Sequence, residues 1–206
     1  YFPFAPNPTR VRLYLAEKEE SGLRIPMELR LVDFRKGEQN AAEHLRRNRF
    51  GSVPVLEVPG GPTLTESLTI IEYLEELHPE PSMLGGDADD RARTRQCERI
   101  AETRVLNAGA RWVHASNSPL GAPPSPPIAE ASWETLATGL RFFEDLFADG
   151  RRFVRGDRAT VADCTLAAGL NFARFGGLDL AQHAPALRRW DETYRARACV
   201  QPVLGG

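Results

Sequence analysis

The spacing of apolar residues changes along the chain, and this change divides it into two halves. Up to about residue 79, short apolar segments with strand-like and helix-like spacing follow one another. Within this half, Met27 to Asp33 alternates apolar and polar residues at a period of two, which predicts a half-buried strand. Beyond residue 90 no segment alternates in this way. Apolar residues there recur at spacings of three and four, which predicts helices.

The first half predicts the element order β–α–β–α–β–β–α. Gly60-Gly61 with flanking prolines is typical of a hairpin between two short strands. Asn7 stands directly before Pro8, where it is a favoured helix N-cap. The other predicted elements are the end of a strand at 1–4, a helix from the turn at 5–9 to about 20, a helix at 41–47, hairpin strands at 55–58 and 63–65, and a helix opened by Glu66 and Ser67 that stops at 78–79. This order predicts a mixed sheet covered by helices.

The second half predicts an all-helical bundle. Residues 80–90, rich in proline, glycine and acidic side chains, are typical of a linker between domains. We therefore expect an α/β domain over 1–79, a linker over 80–90 and an all-helical domain over 91–206. Its predicted helices are 91–114, one with an apolar face at Trp133, Leu136, Leu140, Phe143 and Phe147, a nearly all-apolar one ending at Phe175, and a last one over 185–197.

Thr160 and Asp163 have the spacing of a capping box at the start of the nearly all-apolar helix. In such a box the two side chains satisfy backbone N–H groups that the first helical turn leaves free. We interpret both residues as contributors to folding and expect neither to take part in catalysis.

Composition and charge exclude several kinds of partner. The net charge of −2 gives no basic surface for nucleic acid or anionic lipid. No apolar run approaches the ~18 residues that a membrane helix needs. The three cysteines are widely spaced and the four histidines have no metal-ligand spacing, so we expect neither a disulfide framework nor a metal site. These features predict a protein of a reducing compartment, the cytoplasm.

The stretch from Gly51 to Ser67 carries the most specific chemistry. Pro54 at a strand start removes one N–H group from the sheet and fits an edge, a turn or a cis bond. Glu66 and Ser67 place a carboxylate and a hydroxyl at a helix N-terminus, where free backbone N–H groups attract anions. Each residue alone fits an ordinary strand start or helix cap, but their combined spacing is much more specific.

This combination resembles the cytosolic glutathione S-transferase superfamily. The resemblance covers nearly the whole chain and is nearest to bacterial members of the theta-, zeta- and nu-like kinds. It implies a thioredoxin-like first domain, an all-helical second domain, glutathione as co-substrate and no metal. It also implies a homodimer in which the first domain of one subunit packs against the second domain of the other.

The resemblance implies a glutathione site made of five residues. In the family, the backbone of the residue before a cis proline pairs with the cysteinyl part of glutathione, which maps onto Val53 and Pro54. The family's Glu–Ser pair holds the γ-glutamyl amine and carboxylate, which maps onto Glu66 and Ser67. Gln39 stands where theta-like members contact the glycyl carboxylate; an exposed loop glutamine is the alternative.

The turn at 5–9 departs from the family pattern, because it contains neither serine nor cysteine. Family members use a Tyr, Ser or Cys near this turn to donate to the glutathione sulfur and so favour its thiolate. Asn7 can donate an amide N–H group instead, and we expect it to be the catalytic residue. A helix cap is the alternative for Asn7 and is compatible with that role. Thr9 and Tyr1 are weaker candidates.

The second substrate is expected in the cleft between the domains. The resemblance implies that the first long helix of the bundle forms one wall, and the wall residues are expected to be Arg104, Asn107, Arg111 and Trp112. The predicted activity is transfer of glutathione to a small electrophile. The alternatives are glutathione-dependent reduction of a disulfide or peroxide, isomerisation, and binding of glutathione or another ligand without catalysis. No signal peptide is visible, and we expect a few residues to precede Tyr1.

Overall fold

A computed structural model describes residues 1–205 of the chain. The first half of this range combines three helices with one small antiparallel sheet. Its elements are α1 (Pro6–Glu20), α2 (Ala42–Arg47), β1 (Leu56–Glu57), β2 (Thr63–Leu64) and α3 (Ser67–Leu77). Two short 3-10 turns, Phe34–Lys36 and Glu38–Asn40, lie between α1 and α2.

The predicted hairpin is confirmed. β1 and β2 pair in an antiparallel register in which Leu56 lies opposite Leu64. The connection between them contains Gly60 at a φ of 69°, a conformation that glycine adopts without a steric penalty. The tight turn returns the chain to Ser67, where α3 begins as predicted.

The two strands predicted at 1–4 and 27–33 are not formed. Tyr1 is the only residue that links them: its N–H group donates to Arg30 O and its carbonyl accepts from Val32 N, both at 2.7 Å. A regular strand needs consecutive pairs of this kind, so one linked residue gives no ladder. Leu29 and Leu31, in the second segment, are about half exposed and do not line a core. The prediction of strands at 1–4 and 27–33 was therefore wrong.

The second half is a helical bundle. Its helices are α4 (Ala88–Ile100), α5 (Asn107–Asn117), α6 (Pro126–Phe147), α7 (Val161–Ala173), α8 (Leu180–His183), α9 (Pro185–Arg195) and α10 (Gln201–Leu204). Residues 78–87, between α3 and α4, form neither helix nor strand. This break overlaps the predicted linker over 80–90, while the division into domains remains a prediction.

The first long helix of the bundle is not regular. The single helix predicted over 91–114 is divided, because Ala101–Leu106, between α4 and α5, forms a π-helical turn. Single π-helical turns inside α-helices occur frequently at functional sites. The turn also packs closely against α7, where a side chain at Gly169 would come within 2.8 Å of the Leu106 backbone.

Helix α7 forms the centre of the bundle, and every residue from Val161 to Leu170 is buried. The capping box predicted at its start is confirmed. Asp163 accepts hydrogen bonds from the backbone N–H groups of Thr160 and Val154, both at 2.8 Å, and from the Thr160 hydroxyl at 2.9 Å. Burial raises the pKa of Asp163 to about 7, although these hydrogen bonds oppose the rise.

Helix α1 joins the two halves. It packs against α3 on one side and α7 on the other. Three of its charged residues are buried: Arg10, Glu17 and Lys18. Glu17 accepts hydrogen bonds from both terminal nitrogens of Arg197, which follows α9. Because its charged side chains pair with groups in both halves, α1 holds the two halves in a fixed arrangement.

Candidate functional site

The candidate site lies where α1 and α3 begin. Asn7 is in the first turn of α1, and Ser67 is the first residue of α3. The Ser67 hydroxyl donates to Asn7 Oδ1 at 3.1 Å, across 60 positions of sequence. The fold therefore brings together the residue expected to contact the glutathione sulfur and one expected to hold the γ-glutamyl part.

Asn7 does not cap α1, so the N-cap interpretation was wrong. The N-cap is Ala5, and Asn7 already belongs to the helix. Pro6 explains the difference, because proline is favoured at the first helical position and begins the helix one residue earlier. The Asn7 amide makes no capping bond and is directed to Ser67 instead.

Thr9 and Tyr1 are engaged elsewhere. Thr9 is buried, and its hydroxyl lies 2.9 Å from Ala5 O and 3.3 Å from Pro3 O. Its single hydrogen is therefore used within the turn. The Tyr1 ring lies under the Arg12 guanidinium at 5.4 Å. These contacts leave Asn7 as the candidate with a free donor at the start of α1.

Glu66 has an unusual backbone. Its φ is 66° and its ψ is 113°, and no other non-glycine residue within 1–205 has a positive φ. Such conformations cost on the order of 1–3 kcal/mol and are concentrated at ligand sites. The Glu66 side chain is exposed and has no hydrogen-bond partner in the described chain. It presents a carboxylate beside the free N–H groups of the first turn of α3.

The backbone before β1 is free to pair with an extended ligand. The peptide bond between Val53 and Pro54 is cis, as the resemblance implies. Val53 is buried and precedes β1, and within residues 1–205 its backbone N–H and C=O groups make no hydrogen bond. Unpaired backbone groups next to a strand can bind the backbone of an extended peptide.

Gln39 lies in the second 3-10 turn and is partly buried. Its Oε1 atom is shielded from solvent and has no partner within the described residues. Buried polar atoms without partners are rare and need an explanation. A ligand that reaches this turn would supply the missing hydrogen-bond partner.

Arg10 belongs to the site, and the sequence analysis did not identify it. Its side chain is 2% exposed. Nε donates to Ser67 Oγ at 2.6 Å, while the terminal nitrogens donate to Glu98 at 3.0 Å and Glu102 at 3.1 Å. These partners lie 57 to 92 positions away in sequence. No local spacing rule could have found them.

Glu98 has a perturbed acidity. Burial raises its pKa to about 7, and the nearby Arg10 lowers it by less than burial raises it. Glu102 adds a further increase, while the Thr165 hydroxyl, which donates to Glu98 at 3.2 Å, opposes it. A network of buried charges therefore reaches from the helical half to Ser67.

The four residues expected to bind the second substrate do not share one surface. Asn107 and Arg111 line a groove of about 600 Å³ between α5 and α6, to which only the helical half contributes. Arg104 packs against α6. The ring of Trp112 lies 5.3 Å from that of Trp133. Their assignment to a second-substrate pocket remains a prediction.

An aromatic pair connects the two halves beside the candidate site. Phe4, in the turn before α1, contacts Phe175, after α7, edge to face with 6.2 Å between ring centroids. Both rings are about 40% exposed (41% and 44%). Phe175 is supported by Phe172 at 5.6 Å. Small-molecule sites are lined mainly by apolar and aromatic side chains with a few polar groups.

Residues 1–205 hold no candidate metal site and no candidate membrane-spanning helix. In that range no three or more His, Cys, Asp or Glu side chains are grouped so that they could hold a metal ion. No helix in it combines the length and the apolar character needed to cross a membrane. The three cysteines are free thiols.

Comparison with known proteins identifies the family. The model of the glutathione S-transferase N-terminal domain matches residues 4–77, and that of the C-terminal domain matches residues 126–190. A maleylacetoacetate isomerase of Pseudomonas aeruginosa is 32% identical over 176 residues, which cover 81% of this chain and 77% of that protein. The chain belongs to the glutathione S-transferase superfamily.

Two further similarities, one in sequence and one in structure, are to yeast proteins and cover nearly the whole chain. Glutathione S-transferase 2 of Saccharomyces cerevisiae is 29% identical over 207 residues, covering 98% of this chain and 87% of that protein. The crystal structure of Gtt2 from Saccharomyces cerevisiae matches with a TM-score of 0.83 at 28% identity, covering 98% of this chain and 97% of that one. The predicted fold class, a thioredoxin-like domain followed by a helical domain, is confirmed.

Proposed function

We propose that this protein is a glutathione transferase that binds glutathione where α1 and α3 begin and transfers it to a small electrophile. The observation that carries this proposal is the hydrogen bond between Ser67 and Asn7. It joins the first turn of α3, which suits the γ-glutamyl carboxylate, to the one free amide donor at the start of α1. A single tripeptide can span both positions.

Each part of glutathione has a proposed partner. The Glu66 carboxylate suits the γ-glutamyl ammonium group, and the free N–H groups from Ser67 onward suit the carboxylate beside it. The unpaired backbone of Val53, held before Pro54, suits the cysteinyl residue. Gln39 suits the glycyl end. These assignments are supported by the free groups described above at each position.

The proposed reaction needs a thiolate, because the thiolate is the nucleophile. An N–H group of Asn7 that donates to the sulfur favours the charged form and so lowers the pKa of the thiol. The thiolate then forms a C–S bond with the electrophile and displaces a leaving group such as chloride. Phe4 and Phe175 offer an apolar wall for an aromatic electrophile next to α1.

The test is a conjugation assay with a chlorinated nitrobenzene, run beside glutathione-dependent reduction of a disulfide. Conjugation is expected to exceed reduction, because no cysteine is present at the start of α1 to form a mixed disulfide. Glutathione binding is measured separately by calorimetry. Binding without turnover in either assay would favour a non-catalytic ligand-binding protein, and dominant disulfide or peroxide turnover would favour a reductase.

A second candidate is glutathione-dependent isomerisation. It is favoured by the 32% identity to a maleylacetoacetate isomerase. In this reaction the thiolate adds to a double bond and leaves again, so glutathione is not consumed. Turnover of maleylacetoacetate with catalytic amounts of glutathione, faster than conjugation of the nitrobenzene, would support the isomerase over the transferase.

The proposed enzyme is a homodimer of the cytoplasm. Phe50, between α2 and β1, is 78% exposed, more than any other large apolar side chain of the described chain. Such a residue is suited to burial against a second subunit. Light scattering is expected to give twice the mass of one chain, and Phe50→Ser is expected to increase the fraction of monomer.

A further inference from the structure

The hydrogen bonds around Ser67 have a fixed direction. A guanidinium group can only donate, so Ser67 Oγ accepts from Arg10 Nε at 2.6 Å. A hydroxyl has a single hydrogen, and that of Ser67 is directed to Asn7 Oδ1 at 3.1 Å. The amide oxygen of Asn7 is thereby occupied. Its NH2 group, with two donors, is the part left to face a ligand.

Arg10 is held so that it cannot turn away from Ser67. One terminal nitrogen donates to Glu98 and the other to Glu102, at 3.0 and 3.1 Å. Hydrogen bonds in which one partner is ionised, here the guanidinium, are about twice as strong as neutral ones. Glu98 is fixed in turn by the Thr165 hydroxyl, and Glu102 by Arg99. The planar guanidinium therefore presents Nε to Ser67.

We propose that Arg10 is a positioning residue that acts through Ser67 to orient the Asn7 amide, so that its N–H groups and not its oxygen face the glutathione sulfur. This inference rests on the proposed function, in which Asn7 contacts that sulfur. Orientation matters because an N–H donor favours the thiolate, whereas an amide oxygen repels it. Without a fixed partner, an asparagine amide can present either end.

The same geometry limits the part that Ser67 plays in binding. Because its hydrogen is used by Asn7, the hydroxyl is not free to donate to the γ-glutamyl carboxylate as well. That carboxylate is then held by backbone N–H groups at the start of α3. Removal of the hydroxyl should therefore change the acidity of bound glutathione more than its affinity.

The test is the pKa of the thiol of bound glutathione, followed by thiolate absorbance against pH. Asn7→Ala and Ser67→Ala are each expected to raise this pKa by about one unit. The double variant is expected to show no larger shift than Asn7→Ala, since Ser67 acts only through Asn7. Arg12→Met is the matched control, because Arg12 lies on the same helix but faces the carbonyl of Pro202. It should leave the pKa unchanged.

Arg10 itself is tested in a charge-balanced variant. Arg10→Met combined with Glu98→Gln removes the donor to Ser67 without adding an unpaired buried carboxylate at position 98. It is expected to raise the thiol pKa as Ser67→Ala does. An unchanged pKa in Asn7→Ala would show that Asn7 does not contact the sulfur, and would overturn its catalytic assignment and the positioning role together. A raised pKa in Asn7→Ala with no change in Ser67→Ala, or two shifts that add, would overturn only the positioning role.

Discussion

Lys18 and Glu75 form an ion pair inside the protein, with 2.6 Å between Nζ and Oε1. Lys18 Nζ also donates to the carbonyl oxygens of His78 at 2.8 Å and Pro81 at 2.7 Å, so all three ammonium hydrogens are used. Glu75 accepts a further hydrogen bond from the Tyr14 hydroxyl at 2.9 Å. Buried charges are tolerated when they are paired and hydrogen-bonded in this way. The pair fixes α1 to α3 and to the segment that follows α3.

Lys18→Met is expected to lower the free energy of unfolding by about 3–5 kcal/mol, because Glu75 remains buried without a counter-ion. Denaturant-induced unfolding measures this loss. The double variant Lys18→Met/Glu75→Gln should recover part of it, since no buried charge is left unpaired and an amide oxygen can still accept from the Tyr14 hydroxyl. Arg24→Met is the control: its pair with Glu19 is exposed, with 3.6 Å between nitrogen and oxygen, and should contribute at most about 1 kcal/mol. Equal losses in Lys18→Met and Arg24→Met would contradict this account.

Asp163→Ala is expected to destabilise the protein by about 2–4 kcal/mol. The lost cap, which satisfies the Thr160 N–H group, contributes about 1 kcal/mol. The buried Val154 N–H group loses its acceptor and contributes about 1–3 kcal/mol more. Urea unfolding measures the difference. Asp157→Ala, an exposed aspartate in the preceding segment, serves as the control and should have little effect. A variant as stable as the unaltered protein would rule out the structural role of this carboxylate.

Glu98 is expected to make stability depend on pH. Its folded-state pKa of about 7 lies above its ordinary value of 4.5, so between these values the folded state binds more protons than the unfolded state. Stability contributed by Glu98 therefore falls as pH rises through this window. Glu98→Gln does not titrate, so between pH 5 and pH 8 the unaltered protein should lose about 2–3 kcal/mol of stability relative to this variant.

Unfolding of both proteins by denaturant at pH 5 and pH 8 provides this measurement. Asp163 also has a folded-state pKa of about 7, but it is present in both proteins. The difference between the two curves therefore isolates Glu98. A difference that does not change with pH would show that Glu98 is charged in the folded state throughout this range.

Features that depend on near neighbours could be predicted from the sequence. The turn at Gly60, the capping box of Thr160 and Asp163, and the helix that begins at Ser67 each depend on a few consecutive residues. The N-cap predicted at Asn7 failed for a related reason. Pro6 and Pro8 both favour the first turn of a helix, and the pattern around Asn7 does not decide between them.

Features that depend on distant partners could not be predicted. The alternation in residues 27–33 indicates which side chains share a face but not whether another strand is available to pair. Arg10 was missed because its partners lie on α3, on α4 and in the π-helical turn, each far away in sequence. The glutathione site was predicted as a set of residues, whereas the contacts that orient Asn7 emerge only from the fold.

Glu66 provides a test that separates binding from backbone strain. Both Glu66→Ala and Glu66→Gly remove the carboxylate proposed to hold the γ-glutamyl ammonium group, and each should weaken glutathione binding about tenfold or more. The two variants differ in the backbone, because alanine keeps the steric penalty at a φ of 66° and glycine removes it. Glu66→Gly should therefore be more stable than Glu66→Ala by up to about 1 kcal/mol. Calorimetry of glutathione binding and thermal unfolding measure the two effects separately. If both variants bound glutathione as the unaltered protein does, Glu66 would make no contact with the ammonium group, and its strained backbone would need another explanation.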